Sequence, residues 1–248
     1  MINDEKMIWS DTIFHVHTYR CRHASEEKEI EYIEKAIELG KKEIVFTDHA
    51  PFPINPFRFR MSMYNLQEYV AVLLGLKSYF SDIIDVKIGL EVEFFPRYMD
   101  YYEYLKASNY FDLLVLGQHF SQLPDGGYTY DLKDKSQEHR NLADGIIDGI
   151  KSGLFQVVAH PDQIFRRIKE WNAETEEIAW EIKNCAAESG VILEKNVRNM
   201  IGRKKKKAFR QEFWQELPEG LQIVYGTDAH SVAEMEEADA FLYNWRHT

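Results

Sequence analysis

Short apolar runs alternate with longer stretches of helical periodicity along almost the whole chain. Ile13 to His17 reads as a first strand. Ser25 is placed to cap a helix to Leu39, in which Ile30, Ile33 and Ile37 recur at helical spacing and Gly40 supplies the stop. Glu43 to His49 predicts a second strand with Ile44, Val45 and Phe46 as its body. Ala50 to Met63 carries Pro51, Pro53 and Pro56 among aromatics. Proline removes a backbone donor and fixes φ, so this segment predicts a long loop. A helix over Leu66 to Phe80, a strand over Val86 to Phe94 and a helix over Tyr98 to Ser108 follow. Next comes a strand over Asp112 to His119, whose Leu113-Leu114-Val115-Leu116 run fits burial on both faces of a parallel sheet. Pro124-Asp125-Gly126-Gly127 marks a loop tip. Ser136 to Ser152 is helical, Phe155 to His160 a strand, and Asn172 caps a helix to Ser189. Val191 to Asn196 and Leu221 to Thr227 complete the strands, and Ser231 with Glu234 opens the last helix as a capping box.

Seven strand–helix units without a linker or internal repeat predict one α/β domain over residues 1–248, a parallel barrel closed or nearly closed. In such barrels the active site lies at the C-terminal ends of the strands. With 248 residues, 45% apolar and 14% aromatic, the chain can bury a large core. No apolar run reaches the ~18–20 residues of a membrane span, and acidic, mixed Met1 to Ser10 is unlike a signal peptide. The expectation is a reduced, cytoplasmic protein without a membrane partner. Two cysteines make no disulfide framework. Cys185 reads as a small buried residue on a helix, and Cys21 as a neighbour of histidines rather than a metal ligand. A net charge of -11 argues against a nucleic-acid partner. The basic run Arg203-Lys204-Lys205-Lys206-Lys207 reads as the solvated start of a helix.

What changes the picture is the chemistry at the strand ends. The first offers His15 and His17, which share a face at i and i+2, with His23 just beyond. The second ends in Asp48 and His49, the third carries Glu91, the fourth ends in Gly117-Gln118-His119, and the fifth in Ala159-His160-Pro161-Asp162. The sixth carries Glu194-Lys195-Asn196, and the seventh ends in Gly226-Thr227-Asp228-Ala229-His230. Seven of the nine histidines fall here, while His139 and His247 lie in predicted helices and read as surface residues. Burying so many imidazoles and carboxylates together without a cation costs several kcal/mol per uncompensated charge. Seven histidines, Glu91 and Asp228 are too many donors for one site of about four ligands. Two or three divalent transition metals are therefore expected, with Glu91 the best placed bridge; zinc, iron and manganese all suit such donors.

In this order, HxH…H, TDH, GxExE, GQH, AHPD and GTDAH resemble the PHP (polymerase and histidinol phosphatase) family. The stretches from His15 to His23 and from Phe46 to Pro53 look most like its monofunctional histidinol-phosphate phosphatases. The resemblance implies a distorted (β/α)7 TIM-like barrel and a trinuclear centre. It would place one metal on His15, His17, Glu91 and Asp228, a second on Glu91, His119 and His160, and a third on His23, His49 and His230. Two departures stand out. The fourth motif is one residue short at His119, and Lys195 stands at a pocket-lining position where an apolar residue is usual.

The function expected from this is hydrolysis of L-histidinol phosphate to L-histidinol and phosphate, a step of histidine biosynthesis. A hydroxide bridging two metals would attack phosphorus in line while the third metal grips a phosphate oxygen. Asp48 or His230 would protonate the leaving alkoxide, unless Asp48 only orients a histidine. Arg198 and one of Arg166 and Arg167 would clamp the phosphate, since guanidinium binds it bidentately. Phe52, Phe95, Glu93 and Asp162 are candidates for receiving the ammonium and imidazole of the substrate. The rival readings are a nuclease or nucleotide phosphoesterase on the same centre, a hydrolase of C–N bonds, and a non-catalytic metal-binding module.

Overall fold

Strands join the sheet in the order in which the chain makes them, each parallel to the last. The computed structural model describes residues 11–54, 57–123, 125–202 and 208–247; the basic run at 203–207 lies outside them. The seven strands are β1 (Thr12–Val16), β2 (Glu43–Phe46), β3 (Asp85–Val92), β4 (Leu113–Leu116), β5 (Val157–Val158), β6 (Ile192–Asn196) and β7 (Ile223–Gly226), paired in that order. The edges meet. Thr227 N donates to Phe14 O at 2.8 Å, His17 N to Ala229 O at 2.9 Å and Ala229 N to His15 O at 3.2 Å, which brings a (β/α)7 barrel nearly to closure. The contact is made just beyond the end of β7, by an isolated bridge from Val16 to Ala229, so the barrel is nearly closed there.

The outer layer is α1 (Glu29–Glu38), α2 (Met63–Tyr79), α3 (Met99–Ala107), α4 (Glu138–Lys151), α5 (Ala173–Ser189), the short α6 (Val197–Ile201) and α7 (Val232–His247). The side chains that alternate outward from the strands, such as Ile44, Phe46, Ile88 and Leu90, join the helices in the main core. Inward positions form a second cluster of Phe14, Val45, Val115, Val157, Ala159 and Val224, which plugs the barrel below its mouth. Two residues further along the same inward rows, Val115 gives way to Gly117 and Val224 to Gly226. A Cβ at Gly117 would overlap the Glu91 carboxylate, and one at Gly226 the Glu194 carboxylate. These two glycines clear the space in which the barrel mouth holds its acids.

The strands stop short of their predicted ends: β1 at Val16, β2 at Phe46, β4 at Leu116, β5 at Val158 and β7 at Gly226. The paths splay at the mouth, and only isolated bridges continue the ladder, Val16 to Ala229 and His49 to Glu91. Most donor residues therefore stand on the first loop positions beyond a strand. Ser25 is not the helix cap it was expected to be: Lys28 is, its N–H bonded to Glu31 Oε2 at 2.7 Å. Ser25 N instead donates to His230 O at 2.8 Å, pinning the β1–α1 loop to the end of β7. Asn172 caps α5 as its position predicts, by accepting from Thr175 N. His139 is not a surface residue. It shares a face with Leu142 and Ile146, is buried, and packs near Phe165. The side chain of His247 lies outside what the structure describes. Among the described residues no helix is long and apolar enough to cross a membrane.

Candidate metal centre

The His15–His17 pair does not sit on a regular strand. The β1–β2 register slips between Phe14 and Val16, and His15 occupies the bulge with a left-handed φ of 68°. His160 (φ 35°) and Asp228 (φ 47°) are left-handed too. Such backbones cost on the order of 1–3 kcal/mol each and persist only where the surroundings hold them. Here Thr227 Oγ1 donates to His15 O at 2.9 Å, and His160 N donates to Glu194 Oε2 at 2.9 Å. The bulge turns the two rings together, so that His15 Nε2 and His17 Nε2 stand 2.9 Å apart.

Glu91 lies at the middle of the cup, 1% exposed. Its Oε2 is 3.0 Å from His49 Nδ1, 3.4 Å from His17 Nε2 and 3.5 Å from His15 Nε2. Its Oε1 is 3.0 Å from His160 Nε2 and 3.5 Å from His119 Nε2, so the short fourth motif still delivers His119 to the cup. Asp228 Oδ1 is 3.4 Å from His17 Nε2, while Oδ2 accepts from Asn196 Nδ2 at 3.1 Å. On the outer side, His230 Nε2 and His23 Nε2 face each other at 2.7 Å. His49 stands between the groups, close to Glu91 and His119 on one side and to His17 and His230 on the other.

Partners behind the rings set which nitrogen points inward. His15 Nδ1 donates to Glu194 Oε1 at 2.6 Å, His119 Nδ1 to Glu93 Oε1 at 3.0 Å and His23 Nδ1 to Cys21 O at 3.0 Å, leaving each Nε2 lone pair for the cup. Electrostatics agrees. Burial, with His230 and His49 nearby, holds His17 well below the ordinary imidazole value; burial likewise lowers His49, and His230 to about 3. Burial lifts the Glu91 carboxyl, yet His49, His119 and His15 outweigh it and hold the group well below its usual range. Burial lowers His15 and His160 in turn, but Glu194 and Glu91 raise the first and Glu91 raises the second. Neutral rings and ionised carboxylates are the states in which these side chains bind metals, and displacing protons from His15 and His160 is part of such binding.

Polar satisfaction tests the fit. Glu91 Oε2 is buried with ring nitrogens around it and accepts a hydrogen bond from none, and His49 Nδ1 and His17 Nδ1 are likewise orphaned. Buried orphans of this kind are rare in native proteins. Here Glu91 Oε2 and His49 Nδ1 converge on the cup, 3.0 Å apart, whereas His17 Nδ1 turns toward Asp48, and oxygen and imidazole donors suit zinc, iron and manganese. The side chains are thus arranged to hold divalent cations.

Other expected residues fall on either side of this cup. Arg198 lines the cavity above it, about 370 Å³ in volume, with its Nη1 3.1 Å from His230 Nδ1. Arg166 and Arg167 do not line it; both turn to the Glu138 carboxylate, at 3.3 and 2.7 Å. Asp48 sits behind His17, accepting from Thr18 N at 2.8 Å and Thr18 Oγ1 at 2.5 Å, its pKa pushed up to about 7 by burial. His230 lines the cavity. Glu93 is bound to Arg60 at 2.7 and 3.0 Å, Phe52 and Phe95 are buried in an aromatic cluster, and Asp162 accepts from Arg210 N. All four face protein partners instead of the cavity. Lys195 also misses it, lying over the Trp214 and Tyr225 rings. The Cys21 thiol is buried close to the His23 and His230 rings, its pKa pushed up to about 12 by burial. Glu194 was missed as a functional group, although its place on the inward row with Asn196 was legible; Arg58 and Phe59, on the cavity wall, gave no sequence signal.

Known proteins share this architecture. A family model described as PHP domain matches residues 14–198. A Deinococcus radiodurans protein named probable histidinol-phosphatase is 28% identical over 154 residues, 60% of this chain and 59% of that one. The chain thus spans less than two thirds of that relative's length. The histidinol-phosphatase of Lactococcus lactis subsp. lactis is 28% identical over 230 residues, 88% of this chain and 83% of its own. A crystal structure of histidinol phosphate phosphatase from the same organism, complexed with zinc, L-histidinol and phosphate, superposes with a TM-score of 0.71 at 24% identity. It covers 95% of this chain and 93% of that one, and it shares the barrel fold. The family match runs from the first strand through Arg198 and takes in every candidate ligand except Asp228 and His230. The chain belongs to the PHP domain family.

Proposed function

We propose that this chain is a metal-dependent phosphomonoester hydrolase whose substrate is L-histidinol phosphate. The observation that carries the reading is Glu91, a buried carboxylate among five inward-facing rings with an oxygen that no donor satisfies. The names of the relatives support the substrate. Two to three zinc, iron or manganese ions fit the donors: His15, His17, Glu91 and Asp228; Glu91, His119 and His160; and His23, His49 and His230. When bound, such ions supply Lewis acidity toward phosphoryl oxygens and lower the pKa of water.

The remaining residues prepare the site for that chemistry. Glu194 and Glu93 orient His15 and His119 from behind, and Asp48, held by Thr18, lies 3.9 Å behind the His17 ring. Arg198 presents a guanidinium to the cavity and is our phosphate contact; Arg166 and Arg167, committed to Glu138, are not. Of the two candidate acids, Asp48 is screened from the cavity by His17, and His230, which lines the cavity, is held neutral by burial, at about 3, and serves as a ring donor to an ion and not as the acid. The test is phosphate release from L-histidinol phosphate by protein reconstituted with each metal in turn. Turnover with one or more metals and none after chelation is expected. No turnover with any metal overturns the reading, and preferential cleavage of single-stranded oligonucleotides redirects it to the nuclease alternative.

A further inference from the structure

Phe59 stands apart from every other aromatic residue near the cup. Its backbone is left-handed (φ 60°), a conformation that a bulky side chain rarely adopts. The residue gains little burial in return, since it is 60% exposed. Its one ring contact among the described residues is the edge of His23, centroids 5.8 Å apart. The cause of the outlier lies on either side. Phe57 is fixed in the aromatic cluster, 4.6 Å from the Phe120 ring. Arg60 is fixed below by both Glu93 oxygens and by Ala50 O at 3.2 Å. Two anchors three positions apart leave residues 58 and 59 to bow outward over the cavity.

The cavity wall explains what such a bow is for. Its lining is imidazole, guanidinium, carboxylate and amide, apart from Phe59 and Phe120. Phe120 is already engaged with the Phe57, Phe95, Tyr128 and Tyr130 rings. Among the described residues of the wall, Phe59 alone offers an uncommitted aromatic face. Donors for the phosphate and for metals crowd the floor, so a flat face at the mouth meets the part of the substrate that leaves.

The geometry points to Phe59 as the specificity residue for the leaving group, a platform for a planar, partly cationic ring such as an imidazole. Stacking and cation–π attraction are the forces such a face supplies. This rests on the proposed phosphatase reading and adds to it the residue that recognises the alcohol. Glycine accepts a positive φ freely, so Phe59→Gly removes the ring without straining the fold.

The experiment uses the metal-loaded protein and its Phe59→Gly and Phe59→Trp variants. It measures KM and kcat for L-histidinol phosphate, inhibition by L-histidinol and by inorganic phosphate, and calorimetric binding of L-histidinol. Phe59→Gly should raise KM and weaken L-histidinol binding about 10-fold, leave inhibition by phosphate within about twofold, and keep metal content and Tm. Phe59→Trp should restore L-histidinol binding. Equal weakening of L-histidinol and phosphate, or of neither, overturns the inference while wild-type turnover still upholds the phosphatase reading. A wild type without turnover on any metal overturns both.

Discussion

Glu91 and Glu93 are two residues apart at the end of β3, both buried, and both touch His119. Glu93 has its charge answered within the chain: Arg60 grips it bidentately and His119 donates to it. Burial lifts its carboxyl, but Arg60 and His119 outweigh that and hold it at about 2. Glu91 has only rings around it, and one of its oxygens has no donor. The same side chain in nearly the same place is thus a finished ion pair in one case and, on the proposed reading, half of a coordination sphere in the other. Burial and sequence position do not distinguish them; the identity of the groups that face each oxygen does.

The comparison breaks most sharply at Glu91. Glu91→Gln should lower phosphatase activity on the order of a thousandfold and lower metal content by elemental analysis. Metal-stripped Glu91→Gln should unfold close to stripped wild type, because its charged-group partners among the described residues are imidazoles and its loss strands no guanidinium. A clear fall in that temperature would make Glu91 a structural acid like its neighbour.

Glu93→Gln should destabilise the loaded and the stripped protein alike, by about 3–5 kcal/mol, since it strands the buried Arg60 guanidinium. The pH dependence has a definite sign. A carboxyl held at about 2 instead of the ordinary 4.5 contributes stability that is complete above pH 4.5 and is lost as pH falls through 2. Denaturant titrations should show that acid limb in wild type and a flatter one in Glu93→Gln. Arg198→Ala should raise KM for the phosphoester roughly 10-fold, and an unchanged KM removes Arg198 from the phosphate site. Smallest of all, Arg167→Ala should leave KM within about twofold, its guanidinium being half exposed and spent on Glu138.

The barrel was legible because its signals are local. The strands are short apolar runs stopped by glycine, proline or a donor, and the helices carry their own period; His139 would have been placed correctly had that period been applied to α4. The donors were legible by position, since each follows an apolar run. What stayed hidden depends on partners remote in sequence. Nothing near His15 announces a bulge, which is fixed by hydrogen bonds from Thr227 and Ala229 more than 200 positions away. Arg60 and Glu93 are 33 positions apart. Arg166 and Arg167 do follow a strand end, as the clamp required, but Glu138 on α4 claims them. Phe52 and Phe95 illustrate a further limit: an aromatic residue in a loop reads the same whether it meets a ligand or packs against other rings.

The seam between β1 and β7 has a consequence for biosynthesis. Its hydrogen bonds run between the segments that bear His15, His17, Asp228 and His230, from opposite ends of the chain. A nascent polypeptide still lacking its seventh strand on the ribosome owns most of the donors but not the cup. On the proposed reading, the two donor sets that include Asp228 or His230 are completed only when the seventh strand reaches β1, which ties them to the meeting of the barrel's edges.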